Sequence, residues 1–155
     1  MTKDIRTAPA LDNFVALMTV FGSAQQVLKD WMQADPAQAQ GLGPLHLRAV
    51  CLCQRNPGGT QQHLVQAMGR DKGQIARMTR ELEELGLLQR TPDAQDKRAW
   101  RLGVTAAGAD KCRWFEALET RLAASLFADM AEPEHRQLAR QLASWQARVE
   151  ALAAP

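Results

Sequence analysis

The sequence predicts a mainly α-helical fold with a small β-hairpin wing, a winged helix-turn-helix flanked by N- and C-terminal dimerisation helices. Three observations indicate it. A short helical pattern ends at Gly69, and a longer helical pattern starts only two residues later. A strand, a charged polar tip and a second strand then follow, up to Val104. Long segments with apolar residues three or four apart lie on both sides of this unit.

The composition is that of a single globular domain. With 155 residues, of which 46% are apolar, the chain is long enough for one buried core and short for two. The net charge of +2 excludes a polycationic tail but permits a local basic surface. No apolar run is long enough to span a bilayer, and the N-terminus, with Asp4, does not resemble a signal peptide. Three cysteines without paired spacing make no disulfide framework, so we expect a cytoplasmic protein with reduced thiols.

Helical patterns and helix-breaking residues alternate over residues 1–59. Residues 1–9 are polar and we expect them to fray, whereas the apolar spacing over 10–32 predicts a long amphipathic helix. Residues 33–44 contain two prolines and two glycines, which predicts a loop. The segment 44–55 opens with proline and is apolar nearly all round, which predicts a central buried helix. The Asn-Pro-Gly-Gly run at 56–59 ends it.

The next two helices carry clear capping signals. Thr60 is a suitable N-cap for a short helix, which Gly69 ends. Asp71 with Gln74 three positions later fits a capping box, and Gly86 is suited to a left-handed C-terminal stop. The apolar spacing predicts that the second helix buries Ile75, Met78, Leu82 and Leu85.

The remaining segments are a hairpin and two helices. Residues 87–89 are predicted as a strand, 91–97 as the polar tip and 98–104 as the return strand. Thr105 can cap the following helix, whose apolar stripe consists of Cys112, Phe115, Leu118, Leu122 and Leu126. The last helix carries a narrow apolar seam, which predicts packing on another helix, such as one of a second subunit. The seam consists of Leu138, Leu142, Trp145, Val149 and Leu152.

The first half of the helix after Asp71 is strongly basic. Residues 70–80 contain four basic residues and only one acid, Asp71. The basic residues are Arg70, Lys72, Arg77 and Arg80. The helix dipole adds to their attraction for phosphate. A DNA major groove admits one helix, where arginine and glutamine can make paired hydrogen bonds to base edges. A solvated charged face is the alternative, but the tight turn and the hairpin favour DNA binding. We therefore predict as groove or phosphate contacts Arg70, Lys72, Gly73, Gln74, Arg77 and Arg80.

The hairpin tip provides a second candidate DNA contact. Asp96, Lys97 and Arg98 place an acid two residues before an arginine, on the same side of a strand. A carboxylate there can hold the guanidinium extended as it enters a narrow minor groove. An ion pair without function on a surface hairpin is the alternative.

Four sequence pieces together resemble the MarR family of winged helix-turn-helix transcription regulators. They are the RAV-containing apolar helix, the run ARMTRELEELGLLQR, the hairpin motif DKR and the VTAAG that opens the following helix. The resemblance extends from about residue 11 to 152. It implies a homodimer whose first and last two helices interlock, with paired recognition helices on a pseudo-palindromic duplex. The chain departs from the family at Gly103, where a β-branched or apolar residue is usual, which could loosen the return strand.

The resemblance also implies a domain division and a ligand response. Residues 44–104 form the DNA-binding region, and 10–43 with 105–155 the dimerisation region, behind a flexible 1–9. Regulators of this family are often repressors that release DNA when a small, commonly aromatic acid binds between these regions. The wall expected for such a ligand is Phe14, Met18, His46, Arg48, Cys51 and Trp114. Arg48 could clamp the carboxylate or pair with a structural acid, and the sequence favours neither.

Other functions are less well supported. Cys51 and Cys53 point in different directions on their helix, which is poor geometry for a disulfide between them, and buried cysteines usually pack as small hydrophobes. A repressor switched by cysteine oxidation and a winged-helix protein-interaction module remain as alternatives. The three histidines fall on separate elements, so we expect neither a metal nor another cofactor. No catalytic motif is present, so we expect no enzyme.

Overall fold

The computed structural model describes residues 8–96 and 98–153 of the chain, which form seven helices and one two-stranded sheet. In chain order they are α1 (Ala8–Gln33), α2 (Pro36–Ala39), α3 (Pro44–Arg55), α4 (Gln61–Met68), α5 (Lys72–Glu84), β1 (Leu88–Pro92), β2 (Trp100–Val104), α6 (Ala106–Leu126) and α7 (Glu132–Ala153). This is the predicted winged helix-turn-helix arrangement. The chain divides into two compact units, one up to Leu122 and one over Ala123–Pro155. Within the described ranges, no helix is long and apolar enough to cross a membrane.

The predicted caps are present at both helices of the helix-turn-helix. The Thr60 hydroxyl accepts a hydrogen bond from the backbone amide of His63 at 3.3 Å, which satisfies one free donor of α4. The Asp71 carboxylate accepts from the Gln74 amide at 2.9 Å at the start of α5. Gly69 and Gly86 have φ angles of +60° and +68°, so each supplies the left-handed residue that follows a helix end.

Several boundaries and the burial of one residue differ from the sequence prediction. The segment predicted as one loop contains the one-turn helix α2, because Asp35 accepts from the Gln38 amide at 3.2 Å and Pro36 suits a first helical position. Leu85, predicted to be buried, is 44% exposed because it lies beyond the last helical residue of α5. Strand β1 continues to Pro92, beyond the predicted end at Gln89. The predicted fraying of 1–9 lies mostly outside the described residues, and α1 begins within it, at Ala8.

The core of the first unit forms around α3, as its all-round apolar pattern predicts. Leu47 and Val50 of α3 are fully buried, and α3 contacts α4, α5 and β2. Phe115 of α6 is also fully buried, in the same hydrophobic cluster. Between α1 and α6, the Arg121 guanidinium lies over the Trp31 ring, 4.2 Å from its centroid.

The hairpin is antiparallel and regular, and it is anchored to α6. Its register pairs Leu88 with Val104 and Gln89 with Gly103. Gly103 does not interrupt the strand pairing, and a Cβ there would meet the Gln89 side chain at an ordinary 3.5 Å. Thr105 caps α6 by accepting from the Gly108 amide at 3.0 Å, and its hydroxyl donates to the Gly86 carbonyl at 2.6 Å.

Helices α3 and α6 are joined by two ion pairs and a disulfide. Arg48 contacts Glu119 at 2.6 Å, and Arg55 contacts Glu116 at 3.0 Å. Cys51 is bonded to Cys112, 61 positions away, with a Cα–Cα distance of 5.4 Å. The expectation of reduced thiols therefore differs from the structure, because the pairing arises from the packing of two distant helices and leaves no local spacing in the sequence.

The second unit contains the end of α6 and all of α7. The ring of Phe127 meets that of His135 edge-on, with 5.9 Å between centroids. The predicted seam of α7 is largely uncovered: Leu142, Trp145 and Val149 are exposed, and Leu152 is 86% exposed. An apolar row of this kind on a helix surface is typical of an interface.

Candidate nucleic-acid interface

Helix α5 is fixed to the core by one face. Ile75, Met78, Thr79 and Leu82 are buried, which leaves the opposite face to solvent. The Thr79 hydroxyl donates to the Ile75 carbonyl at 3.0 Å and accepts from the Gln61 side chain at 2.6 Å. Because Gln61 belongs to α4, this bond ties the two helices of the helix-turn-helix together and fixes which side of α5 faces outward.

The outward face of α5 carries the predicted basic residues. Lys72, Gly73, Gln74, Arg77 and Arg80 are all exposed, as is Arg70 just before the helix. Among residues 8–96 and 98–153, no acid forms an ion pair with any of these four cations. Two acids at the other end of α5 are engaged: Glu83 pairs with Arg90 at 2.9 Å, and Glu81 contacts His46 at 3.1 Å. The positive charge is therefore concentrated on the N-terminal half, where the helix dipole reinforces it.

Gly73 lies close to the cap of α5. A Cβ at this position would come within 3.2 Å of the capping carboxylate oxygen of Asp71, which is tighter than nine in ten real Cβ contacts. The small residue therefore has a structural reason to be there, since it leaves the cap undisturbed. Its exposure also permits the close approach to DNA that the sequence analysis predicts.

The hairpin tip is ordered by Asp93, which sequence reasoning missed. This buried carboxylate accepts from the amides of Gln95 at 2.7 Å and Asp96 at 2.9 Å, and it pairs with Arg101. These backbone hydrogen bonds, with the bond to the Arg101 side chain, lower the pKa of Asp93 to about 2. Arg101 also donates to the Gly58 carbonyl at 2.8 Å, so it connects the tip to the turn that follows α3. The signal available in the sequence was the Pro-Asp dipeptide, a frequent turn former.

The predicted minor-groove residues lie at this tip. Arg98 is exposed, and its backbone amide donates to the Asp96 carboxylate at 2.9 Å. Asp96 therefore stabilises the turn that presents Arg98. The orientation of the guanidinium by Asp96 stays a prediction, and Lys97 lies outside the described residues.

The six residues predicted to line a ligand site differ in exposure and in the partners that they contact. Phe14 and Met18 lie exposed on α1, and Trp114 is half-buried, with the Lys111 ammonium 5.8 Å from its ring centroid. The other three are His46, Arg48 and Cys51, which contact Glu81, Glu119 and Cys112 respectively. Arg48 thus has a structural acid as its partner. The assignment of these residues to a ligand stays a prediction.

A cavity of about 280 Å³ lies next to the start of α5. Its walls come from α1, from the start of α3 and from Arg70. Phe21 and Leu45 provide apolar surface, whereas Lys29 and Arg70 provide two cations. A small anion with an apolar body matches this combination of side chains. The sequence did not single out Lys29, because a lone lysine on an amphipathic helix carries no signal of a site.

One group of side chains has the composition of a metal site. The sulfurs of Cys51 and Cys112 and a carboxylate oxygen of Glu116 all lie within 4.8 Å of one another. The three histidines considered in the sequence do not contribute to this group. Burial separately raises the pKa of the third cysteine, Cys53, to about 11, so its thiol remains protonated at neutral pH.

Comparisons with known proteins agree with this architecture. The MarR family model matches residues 42–100, which include α3, α4, α5 and β1. A crystal structure of MarR is 28% identical, with 97% of each chain covered and a TM-score of 0.63. A MarR-family regulator from Listeria monocytogenes, crystallised with a 26mer DNA, is 15% identical, with coverage of 88% of this chain and 87% of that one and a TM-score of 0.79. S. aureus MepR in complex with DNA is 20% identical, with 86% and 94% coverage and a TM-score of 0.68. No curated protein sequence matches the chain.

The fold and the exposed basic helix define a winged helix-turn-helix protein. Residues 42–100 match the MarR family model, and nearly the whole chain is similar to the crystal structure of MarR. Proteins of that family are DNA-binding regulators and not enzymes.

Proposed function

We propose that the protein is a homodimeric repressor that binds a pseudo-palindromic DNA duplex and is released by a small aromatic acid. The observation that carries the proposal is the outward face of α5, where Lys72, Arg77 and Arg80 are exposed and no described acid pairs with them. A helix with such a face fits the major groove, and its cations would contact phosphates and guanine edges. The DNA complexes of MepR and of the Listeria regulator support this use of the fold.

Two exposed apolar surfaces support a dimer. The first is on α1, where Leu11, Phe14, Met18 and Phe21 are each at least 50% exposed. The second is the seam of α7, described above. Large apolar patches left in water are unusual for a monomer, and burial of such residues stabilises a complex by about 25 cal/mol per Å². A second copy of the chain is therefore the proposed occupant of both surfaces, which would place two recognition helices on successive turns of DNA, about 34 Å apart.

The cavity beside α5 supports the ligand response. A ligand carboxylate bound by Lys29 and Arg70 would weaken the contact of Arg70 with the DNA backbone. The Arg70 guanidinium would then have to divide its hydrogen bonds between the carboxylate and a phosphate. The ligand's aromatic ring would contact the apolar surface of Phe21 and Leu45. This mechanism places the ligand at a different wall from the one around Arg48 that the sequence suggested.

Selection of duplexes from a random pool tests the DNA-binding proposal. We expect enrichment of an inverted repeat, two chains per duplex by light scattering, and an affinity that falls steeply with salt. A failure to shift any duplex at low salt would instead favour a winged-helix protein-interaction module.

A ligand screen on the selected duplex tests the release mechanism. Benzoate and ring-substituted benzoates are the probes, and benzyl alcohol is the uncharged control. If an acid releases wild-type protein and Arg48→Ala from the duplex but does not release Lys29→Ala, the ligand site is the cavity beside α5. The reverse pattern supports the wall around Arg48.

A further inference from the structure

We propose that Cys51 and Cys112 form a reversible oxidation site, whose disulfide between α3 and α6 changes the affinity of the protein for DNA. The DNA effect rests on the proposed function, whereas the oxidation site itself does not. The pair is distinct from the DNA-binding face and from the cavity beside α5.

The backbone places the two sulfurs within bonding reach. The Cα atoms are 5.4 Å apart, close to the most frequent separation for disulfides, about 5.5–6 Å. Both side chains are nearly fully buried, with 4% exposure for Cys51 and 1% for Cys112. Two cysteines that face each other across packed helices can therefore join without a large movement of the backbone.

Two ion pairs beside the cysteines also join α3 to α6. Arg48 and Arg55 lie three residues before and four residues after Cys51, so all three project from one side of α3. Their partners Glu119 and Glu116 belong to α6, as Cys112 does. Because these contacts do not depend on the disulfide, they keep α3 beside α6 when the cysteines are reduced, and the thiols stay close enough to join again.

The third cysteine does not compete for the bond. Cys53 is buried and lies two positions from Cys51, so it points to another side of α3. Cys53 therefore serves as a matched control within the same helix.

Oxidation accounts for this cluster better than metal binding. Glu116 lies near both sulfurs, but its carboxylate already binds the Arg55 guanidinium at 3.0 Å. A cation would have to displace Arg55 or lie next to its positive charge. A disulfide is neutral and leaves the Arg55–Glu116 pair intact.

The chemistry requires a two-electron oxidant, for which we name a peroxide. One thiolate attacks a peroxide oxygen, the O–O bond breaks, and hydroxide or an alkoxide leaves as a sulfenic acid forms. The second thiolate attacks that sulfur, the S–O bond breaks and the disulfide forms. With hydrogen peroxide, two thiols and one peroxide give one disulfide and two waters. A dithiol reductant reverses the reaction.

The bond affects DNA binding through α3. This helix contacts α4, α5 and β2, so it carries the DNA-reading unit. A covalent link to α6 removes the freedom of that unit to adjust against the helix that follows the wing. DNA binding by two recognition helices depends on their spacing, and for this reason the oxidised and reduced proteins should differ in affinity.

Alkylation and duplex binding of the full chain test the proposal. Peroxide-treated or dithiothreitol-treated protein is denatured, alkylated with iodoacetamide and analysed by mass spectrometry. We expect alkylation of Cys53 alone and a Cys51–Cys112 cross-linked peptide after peroxide, and alkylation at all three cysteines after dithiothreitol. The two forms should differ at least about five-fold in Kd for the selected duplex. That difference should be lost in Cys112→Ala and kept in Cys53→Ala.

Two results would overturn the proposal. The first is full alkylation of all three cysteines after peroxide, which needs no variant and is unaffected by the folding of Cys112→Ala. The second is a formed disulfide with the same Kd in both forms. If neither form binds any duplex, the proposed function fails together with the DNA effect, and the alkylation pattern still decides whether the oxidation site exists.

Discussion

Gly108→Ala tests how closely α6 packs against the hairpin. A Cβ at Gly108 would lie 2.1 Å from the Leu87 carbonyl oxygen and 2.9 Å from a Val104 methyl group. Real Cβ atoms essentially never come closer than 3.0 Å, so helix and strand must separate by about 0.9 Å or more. Overpacking of this kind costs about 1–3 kcal/mol. Alanine regains about 1 kcal/mol of helix propensity, so the free energy of unfolding should fall by up to about 2 kcal/mol.

Urea denaturation at one fixed protein concentration measures this change, and Gly22→Ala is the matched control. Gly22 also lies within a helix, α1, but a Cβ there would meet nothing within 4 Å. The same substitution should therefore stabilise the protein, by up to about 1 kcal/mol. The packing argument is refuted if Gly108→Ala gains stability as Gly22→Ala does.

Three further predictions concern single contacts. Asp71→Ala removes the cap of α5 and should lower the free energy of unfolding by about 1 kcal/mol in urea denaturation, whereas Asp71→Asn should retain most of it. The pKa of Asp93 is lowered to about 2. The ionised carboxylate therefore stabilises the fold fully above about pH 4, and this stabilisation is lost as the pH falls through about 2. The difference in urea midpoint between wild type and Asp93→Asn should shrink as the pH falls from about 4 to 2. Glu119→Gln weakens a half-exposed ion pair with Arg48 and should lower the free energy of unfolding by no more than about 1 kcal/mol. The difference between wild type and variant should be smaller in 1 M salt, because salt screens the ion pair of the wild type.

The sequence was sufficient for the parts of the fold that local chemistry specifies. Thr60 and Asp71 are caps because short side chains there reach free amides of the next turn, and the structure confirms both. The buried face of α5 likewise follows from apolar spacing, except at Leu85, where the helix has already ended. Periodicity predicts a helix face but not the residue at which the helix stops.

Contacts between residues that lie far apart along the chain could not be predicted from the sequence. Cys51 and Cys112 are 61 positions apart, and only the packing of α3 on α6 brings them together. Arg48 could be assigned a partner only when Glu119 was placed beside it. The cavity formed by Lys29 and Arg70 joins two residues that carry no shared motif. Such contacts depend on how helices pack, and residue spacing along the chain does not encode them in a readable form.

The central claim is that the exposed basic face of α5 reads DNA. The most direct measurement is the Kd of Arg77→Ala on the selected duplex and on one with a substituted half-site, with Arg113→Ala as the control. Arg113 is an exposed arginine on α6 that already pairs with Asp110. We expect Arg77→Ala to lose about 1–3 kcal/mol on the selected duplex and most of its preference over the substituted one, while Arg113→Ala binds as wild type does. Equal affinities and equal preference in wild type and both variants would contradict the account.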